Sequence, residues 1–345
     1  MADDEQFVDL VCEGGGVKGI GLAGAFAALE QHGFRPKSVA GTSAGAITAA
    51  LIAAGYTSSE LDDILLKVPF ASFKDKDWMD KIPFIGRGAS VAFDLGIYEG
   101  KTFERWISGL LEAKGVTRFG QLADDSAEDP SNRYRLRVIA SDVTHRRMLV
   151  LPDDAAHLGI EPDEMEIAYA VRMSMSIPVF FEPVIHENAK TGEQHVIVDG
   201  GMLSNFPVWL FDCHGRDPNW PTFGLMLVEP EPNKPIGHRI AVGDETAIEH
   251  GTLLDFIKSL ALTMMAAHDR MYIEQATWAR TVPIPTLGVG TTEFGITPDH
   301  VHALYESGRA AATEFLEHWD FQKYIEEYRR GLEHSRTGTV TAGGV

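Results

Sequence analysis

Apolar residues in this chain fall into short blocks divided by glycine-rich or polar breaks. Near-continuous apolar runs of four to eight residues read as buried strands, and recurrence at three- and four-residue spacing reads as helix. By these rules residues 7–13, 37–41, 135–141, 148–151, 195–199 and 223–229 are predicted strands. Residues 20–33, 44–54, 60–67, 102–113, 162–174, 252–277 and 298–330 are predicted helices, the last opened by Thr297-Pro298, a capping residue followed by proline. The first four elements alternate strand, helix, strand, helix, which predicts parallel strands with a right-handed crossover.

Between these blocks, "PFIGRGASVAFDLGIYEG" (83–100) is glycine-rich, apolar and irregular, the pattern of a lid or binding loop or of a segment packed on the core. "DDSAEDPSNR" (124–133) is a polar loop, and residues 331–345 are a predicted disordered tail. There is no internal repeat and no linker. The expectation is one domain over 7–330, with 57–133 as a lid or helical insertion.

Composition narrows the function classes. The 345 residues carry a formal charge of −20, spread without acidic blocks. Such a surface argues against nucleic acid, whose phosphates require a basic face, and against simple attraction to anionic lipid. Any membrane contact would be transient and apolar or locally basic. Two cysteines, Cys12 and Cys213, are too few for a disulfide framework and lack metal-ligand spacing; Cys12, ending a strand, reads as a buried free thiol. The start, "MADDEQF", has no apolar signal region, and the apolar helix near 44–56 is shorter than the ~20 residues a bilayer requires. A soluble cytoplasmic protein is expected, although leaderless export would leave no mark. Oligomeric state is not indicated.

Candidate chemistry sits at two strand-to-helix junctions. Gly41-Thr42-Ser43-Ala44-Gly45 fits G-x-S-x-G, in which a sharp turn forces the serine into a strained conformation and small neighbours, here Gly41 and Gly45, let the chains approach. The helix that follows directs its N-terminal dipole at the site. Gly14-Gly15-Gly16-Val17-Lys18-Gly19 formally matches a dinucleotide fingerprint, but the second strand ends "SVAGTSAG" without the acidic residue that holds a ribose. Consecutive glycines also expose backbone N–H groups to a developing oxyanion, and a glycine loop on a neighbouring strand would face Ser43. Asp199 ends the strand "HVIVD" and precedes Gly200 and Gly201. If that strand runs parallel to the others, Asp199 lies on the same sheet edge as Ser43; an aspartate capping a turn is the other reading.

Taken together, GGGVKG, GTSAG and DGG in this order, with "MSIPVFFEPV" and "DGGMLSNFPV" around the aspartate, resemble the patatin-like phospholipase family over roughly residues 8–207. The resemblance implies a three-layer α/β/α sandwich with a mainly parallel central sheet. It implies Ser43 as nucleophile and Asp199 as its direct partner in a Ser–Asp dyad. It further implies backbone N–H groups of the 14–19 loop, at Gly15 and Gly16, as the oxyanion hole, with Lys18 in a slot where that family carries Arg or Lys. The expected substrate is a phospholipid or other acyl ester, hydrolysed through an acyl-enzyme. A weak carboxylate base suits esters better than amides, so a peptidase is not expected.

Two alternatives stay open on the residues alone. One is a Ser–Asp–His triad using His250, His268, His300 or His302; the other is a non-catalytic module holding an anionic ligand on the glycine loop. No metal or cofactor is expected, since no His, Cys or carboxylate cluster has ligand spacing, and "PDDAAHLGIEPDE" (152–164) lacks a calcium-loop rhythm. Residues 253–267, with Met264 and Met265, and the 83–98 loop read as core or as the wall of an acyl channel, and Phe180 and Phe181 as core or as a border of the same pocket.

Overall fold

The computed structural model describes residues 6–67, 96–98, 100–126, 133–213, 217–229, 275–291, 293 and 295–329, with isolated positions at 260 and 263–264. The opening is as the pattern predicts: β1 (Gln6–Cys12), α1 (Ile20–Gln31), β2 (Phe34–Thr42) and α2 (Ala44–Ala53). Then follow α3 (Ser58–Lys67), β3 (Gly96–Tyr98), α4 (Lys101–Ala113), β4 (Leu136–Asp142), β5 (Arg147–Leu151) and α5 (Ile167–Ser174). Strands β6 (Val179–Phe181), β7 (Val184–Glu187), β8 (Gln194–Asp199), β9 (Thr222–Val228) and β10 (Thr281–Pro285) complete the sheets, and the helices Pro298–His318 and Phe321–Tyr328 close the described chain.

The main sheet has the order β10-β9-β1-β2-β4-β8-β7, with β5 also on β4. Five strands, β10 to β4 in that order, run parallel; β5 and β8 are antiparallel to β4, and β7 is antiparallel to β8. Strand alternation assigns each side chain to a face. Val8, Leu10 and Cys12, with Phe223, Leu225 and Leu227, point into the main core, which α1, α2, α4 and α5 also fill. Val11, Ala40, Met226 and Val228 point to the other face, where Phe206, Val208 and Phe211 cover them and Trp278 packs alongside. The chain is a three-layer α/β/α sandwich.

Several elements depart from the sequence pattern for identifiable reasons. The predicted helix at 162–174 splits, because Met165 and Glu166 are extended and the Met165 carbonyl accepts the Phe119 N–H at 3.1 Å. The predicted helix at 298–330 breaks at Trp319, which stacks on Phe315 and meets Phe223 edge-on; the Asp320 side chain then caps a new helix through Lys323 N–H. β10 was hidden by Pro283 and Pro285, tolerated because it is an edge strand. α3 and α4 are packed into the main core through Leu61, Phe103, Ile107 and Leu111. The predicted helix at 252–277 lies outside the described residues for most of its length, as do most of the 83–98 loop and all of the 331–345 tail.

α1 is held by the helix Pro298–His318, and glycines set their separation. A side chain on Gly24 would run into the Tyr305 carbonyl, and one on Gly308 into the Gly21 carbonyl. Gly308→Ala is expected to lower the unfolding free energy by about 1–3 kcal/mol through overpacking. Urea titration reads this as a lower midpoint at unchanged slope; an unchanged midpoint would count against the close crossing.

Candidate active site

Ser43 sits between the last residue of β2 and the first of α2 with φ 54° and ψ −124°, a left-handed conformation that strains a non-glycine residue. The turn is possible because its neighbours are small. A side chain at Gly45 would collide with the carbonyls of Cys12 and Glu13, and one at Gly41 with the Gly45 carbonyl. Two hydrogen bonds hold the strained residue: its carbonyl accepts the Ala46 N–H at 2.9 Å, and its N–H donates to Ser174 Oγ at 2.9 Å. Ser43 and Ser174 are both buried.

The strand carrying Asp199 is not parallel to its neighbours, contrary to the condition under which the sequence placed it beside Ser43. β8 is antiparallel to β4 and overlaps only its end, Ala140 facing Asp199 and Asp142 facing Ile197. β2 pairs with the preceding part of β4, Thr42 facing Ile139. β5 occupies the other edge of β4 throughout this stretch. β2 and β8 therefore share one edge of β4 and meet end to end, Thr42 and Asp199 standing at successive register positions. Gly200 makes the junction possible, because a side chain there would strike the Ile139 carbonyl. Thr42 Oγ1 donates across it to the Ser204 carbonyl at 3.0 Å.

Asp199 is fully buried. Its N–H donates to the Ser176 carbonyl at 2.9 Å, and Oδ1 accepts the Gly201 N–H at 2.7 Å. Burial pushes its carboxyl up to about 7, opposed by interaction with the Ser43 hydroxyl and by the Gly201 N–H. Among the described residues Oδ2 has no hydrogen-bond partner.

The glycine loop adjoins the serine elbow, because Cys12 pairs with Gly41 and Gly45 lies against the Cys12 and Glu13 carbonyls. Its amides are not equivalent. Gly14 N–H donates to the Asn205 carbonyl at 3.1 Å, Val17 N–H to Thr291 at 3.2 Å and Lys18 N–H to Gly15 at 3.2 Å. Among the described residues, no backbone acceptor meets the N–H of Gly15 or Gly16. Asn205 Nδ2 fixes the loop from the far side by donating to the Gly14 carbonyl at 3.0 Å and to Glu13 Oε1 at 3.3 Å. Gly19 is held close to α2, where an added Cβ would stand 3.0 Å from that of Ala44. Lys18 is neither exposed nor a free charge: it is buried, with Nζ 2.9 Å from Glu229 Oε1.

Comparison with known proteins identifies the family. A model of the patatin-like phospholipase family matches residues 10–212. The chain belongs to that family. It is 40% identical over 316 residues to the uncharacterized protein YqhO of Bacillus subtilis, covering 92% of this chain and all of that one. It is 24% identical over 204 residues to a probable lipid hydrolase, 463L, of Invertebrate iridescent virus 6, covering 59% of this chain and 63% of that one. The fold resembles VipD from Legionella pneumophila, with a TM-score of 0.50 and 18% identity over 92% of this chain and 67% of that one. The patatin-like match ends before β9 and β10, yet these strands extend the same sheet, and the Leu225 carbonyl of β9 accepts the Glu13 N–H beside the glycine loop.

Among the described residues no imidazole hydrogen-bonds to Asp199; His300 and His302 are exposed on the helix Pro298–His318, and His250 and His268 lie outside the described residues. Phe181 is buried and Phe180 packs against the same core. In the acidic stretch at 152–164, Asp153 pairs with Arg137, Asp163 with Arg133, Glu164 with Arg118 and Glu161 with Lys190, so its carboxylates are dispersed among cations. Sequence reasoning missed Ser174, at the end of the predicted helix 162–174, and Ser176 and Asn205, whose only signal was their place in the segments flanking the aspartate. It also missed that Asp142, His145 and His195 converge.

Burial of Asp199 has a pH signature. Between about pH 4 and 7 the unfolded chain releases this proton while the native chain keeps it, so native stability falls as pH rises and the full penalty applies above 7. Asp199→Asn is therefore expected to be more stable than the wild type by up to about 4 kcal/mol above pH 7. The difference should fade towards pH 4, as read by chemical denaturation across pH; a difference independent of pH would contradict the raised value.

Proposed function

We propose that this chain is a lipid acyl hydrolase that cleaves carboxylic esters of phospholipids or other glycerolipids through a Ser43–Asp199 dyad. The observation that carries the reading is the end-to-end junction of β2 and β8, which puts a strained serine and a buried carboxyl together next to the 14–19 loop. Membership in the patatin-like phospholipase family supports the lipid-hydrolase part of this reading.

Ser43 Oγ attacks the ester carbonyl and its proton passes to Asp199. The amides of Gly15 and Gly16 donate to the oxyanion of the tetrahedral intermediate. As the intermediate collapses, Asp199 returns the proton to the departing alcohol, leaving an acyl group on Ser43. Water then attacks the acyl-enzyme by the same route and Ser43 is regenerated. An aspartate near its ordinary value is a poor base for a hydroxyl, and the rise to about 7 narrows that mismatch by roughly three pH units. The remainder falls to the oxyanion donors, each contributing about 3 kcal/mol in comparable sites. Ser174 acts as a positioning residue, because its Oγ fixes the peptide from which the nucleophile projects.

Four expected outcomes test this reading. Wild type should hydrolyse p-nitrophenyl esters and phosphatidylcholine, with kcat/KM rising with pH through about 7 as Asp199 ionises. Ser43→Ala and Asp199→Asn should each lose on the order of 1,000-fold or more in kcat. An organophosphonate should label Ser43 in the wild type. Ser174→Ala should lower kcat by up to about tenfold with little change in KM, the effect of one lost hydrogen bond. Full activity in Asp199→Asn together with its loss in a histidine variant would replace the dyad with a triad, and failure to label Ser43 would leave only a binding loop.

A further inference from the structure

A second constellation lies on the same pair of strands. Asp142 is the last residue of β4, His145 lies in the turn to β5, and His195 is the second residue of β8. Asp142 and His195 are wholly buried, and the His145 side chain is partly exposed. Asp142 Oδ2 is 2.8 Å from His145 Nδ1 and 2.9 Å from His195 Nδ1, while Oδ1 accepts the His145 N–H at 3.2 Å. The two rings lie 4.6 Å apart, and one ligand atom from each of the three residues falls within 4.8 Å of the others.

We propose that Asp142, His145 and His195 form a binding site for a divalent transition-metal cation of the zinc type. The cluster holds more lone pairs than a neutral set of protons can match. His145 has a carboxylate oxygen at each ring nitrogen, Asp142 Oδ2 at Nδ1 and Glu193 Oε1 at 2.7 Å from Nε2, but a neutral imidazole carries one N–H. His195 is worse placed: among the described residues its buried Nε2 has no hydrogen-bond partner. With the proton on Nδ1, that nitrogen is a bare buried acceptor; with the proton on Nε2, the Nδ1 lone pair confronts a carboxylate oxygen. A cation among Oδ2 and the two Nδ1 atoms turns these opposed lone pairs into ligands. His145 Nε2–H is then free to donate to Glu193, the carboxylate–histidine pairing that orients metal-bound imidazoles. Two nitrogens and one oxygen suit zinc and its neighbours better than calcium or magnesium. Arg147 Nε, 3.6 Å from Asp142 Oδ2, is the opposing positive charge, and the two carboxylates outnumber it.

The site has no part in the proposed hydrolytic steps, so its test is independent of them. Untagged protein stripped with a chelator is titrated with Co2+ and then Zn2+. The expected result is one saturable equivalent per chain, with the visible absorption of low-coordinate Co2+, displaced by Zn2+. His145→Ala, checked for folding by circular dichroism, should weaken Zn2+ binding at least about 100-fold. Glu193→Gln, at a half-exposed position that should not disturb folding, should weaken it about 10- to 100-fold. Absence of a saturable equivalent, or Zn2+ affinity unchanged in these variants, would overturn the site and leave protonation as what balances the cluster.

Discussion

The architecture of the site depends on how one edge of β4 is divided. β2 occupies it as far as Ile139, and β8, arriving from the opposite direction, takes it over at Ala140. Two strands cannot overlap on one edge, so their ends must abut, and the residues at those ends must either be small or turn away. Thr42 turns into the elbow and Asp199 turns into Gly200-Gly201. The proximity of alcohol and acid is thus a consequence of backbone pairing, not of long side chains reaching across a cleft.

Enclosure at that junction has electrostatic consequences. Among the described residues, the buried Asp199 carboxyl has a single well-formed hydrogen bond, an arrangement that a structure selected only for stability would avoid. Neighbouring buried ionic groups are treated differently: Lys18 has Glu229, Arg280 has Asp212, and Arg137 has Asp153. Asp9, the other strongly perturbed carboxyl on the sheet, is likewise pushed up to about 7 by burial, but it accepts the Ser38 N–H at a register shift in β1 and sits in the middle of that strand. Perturbation alone does not distinguish Asp199 from Asp9; its position at a strand junction does.

Much of the scaffold was legible because it is local. The elbow glycines, the opening strand–helix alternation and the apolar runs of β1, β4 and β9 are patterns within a few residues, and they fold as they read. What escaped was non-local or locally contradictory. The direction of β8 could not be read from "HVIVD", because an antiparallel strand overlapping at its tip presents the same apolar run as a buried parallel one. β10 carries prolines that argue against a strand unless its edge position is known. Met165 and Glu166 leave a helical pattern because Phe119 supplies a backbone partner from a distant segment. His195 lies 53 residues beyond Asp142, so no spacing rule could join them.

The turn that ends α5 touches both halves of the junction. Ser174 takes hold of the Ser43 peptide and Ser176 of the Asp199 peptide, at equal lengths of 2.9 Å and from positions two residues apart. Ser176 is itself tethered to Arg172 one turn back, so this grip is part of a rigid helix end and not of a loose connection. One short turn therefore serves as a common mount for two segments that lie more than 150 residues apart in the chain, so a substitution that shifts it would displace both at once.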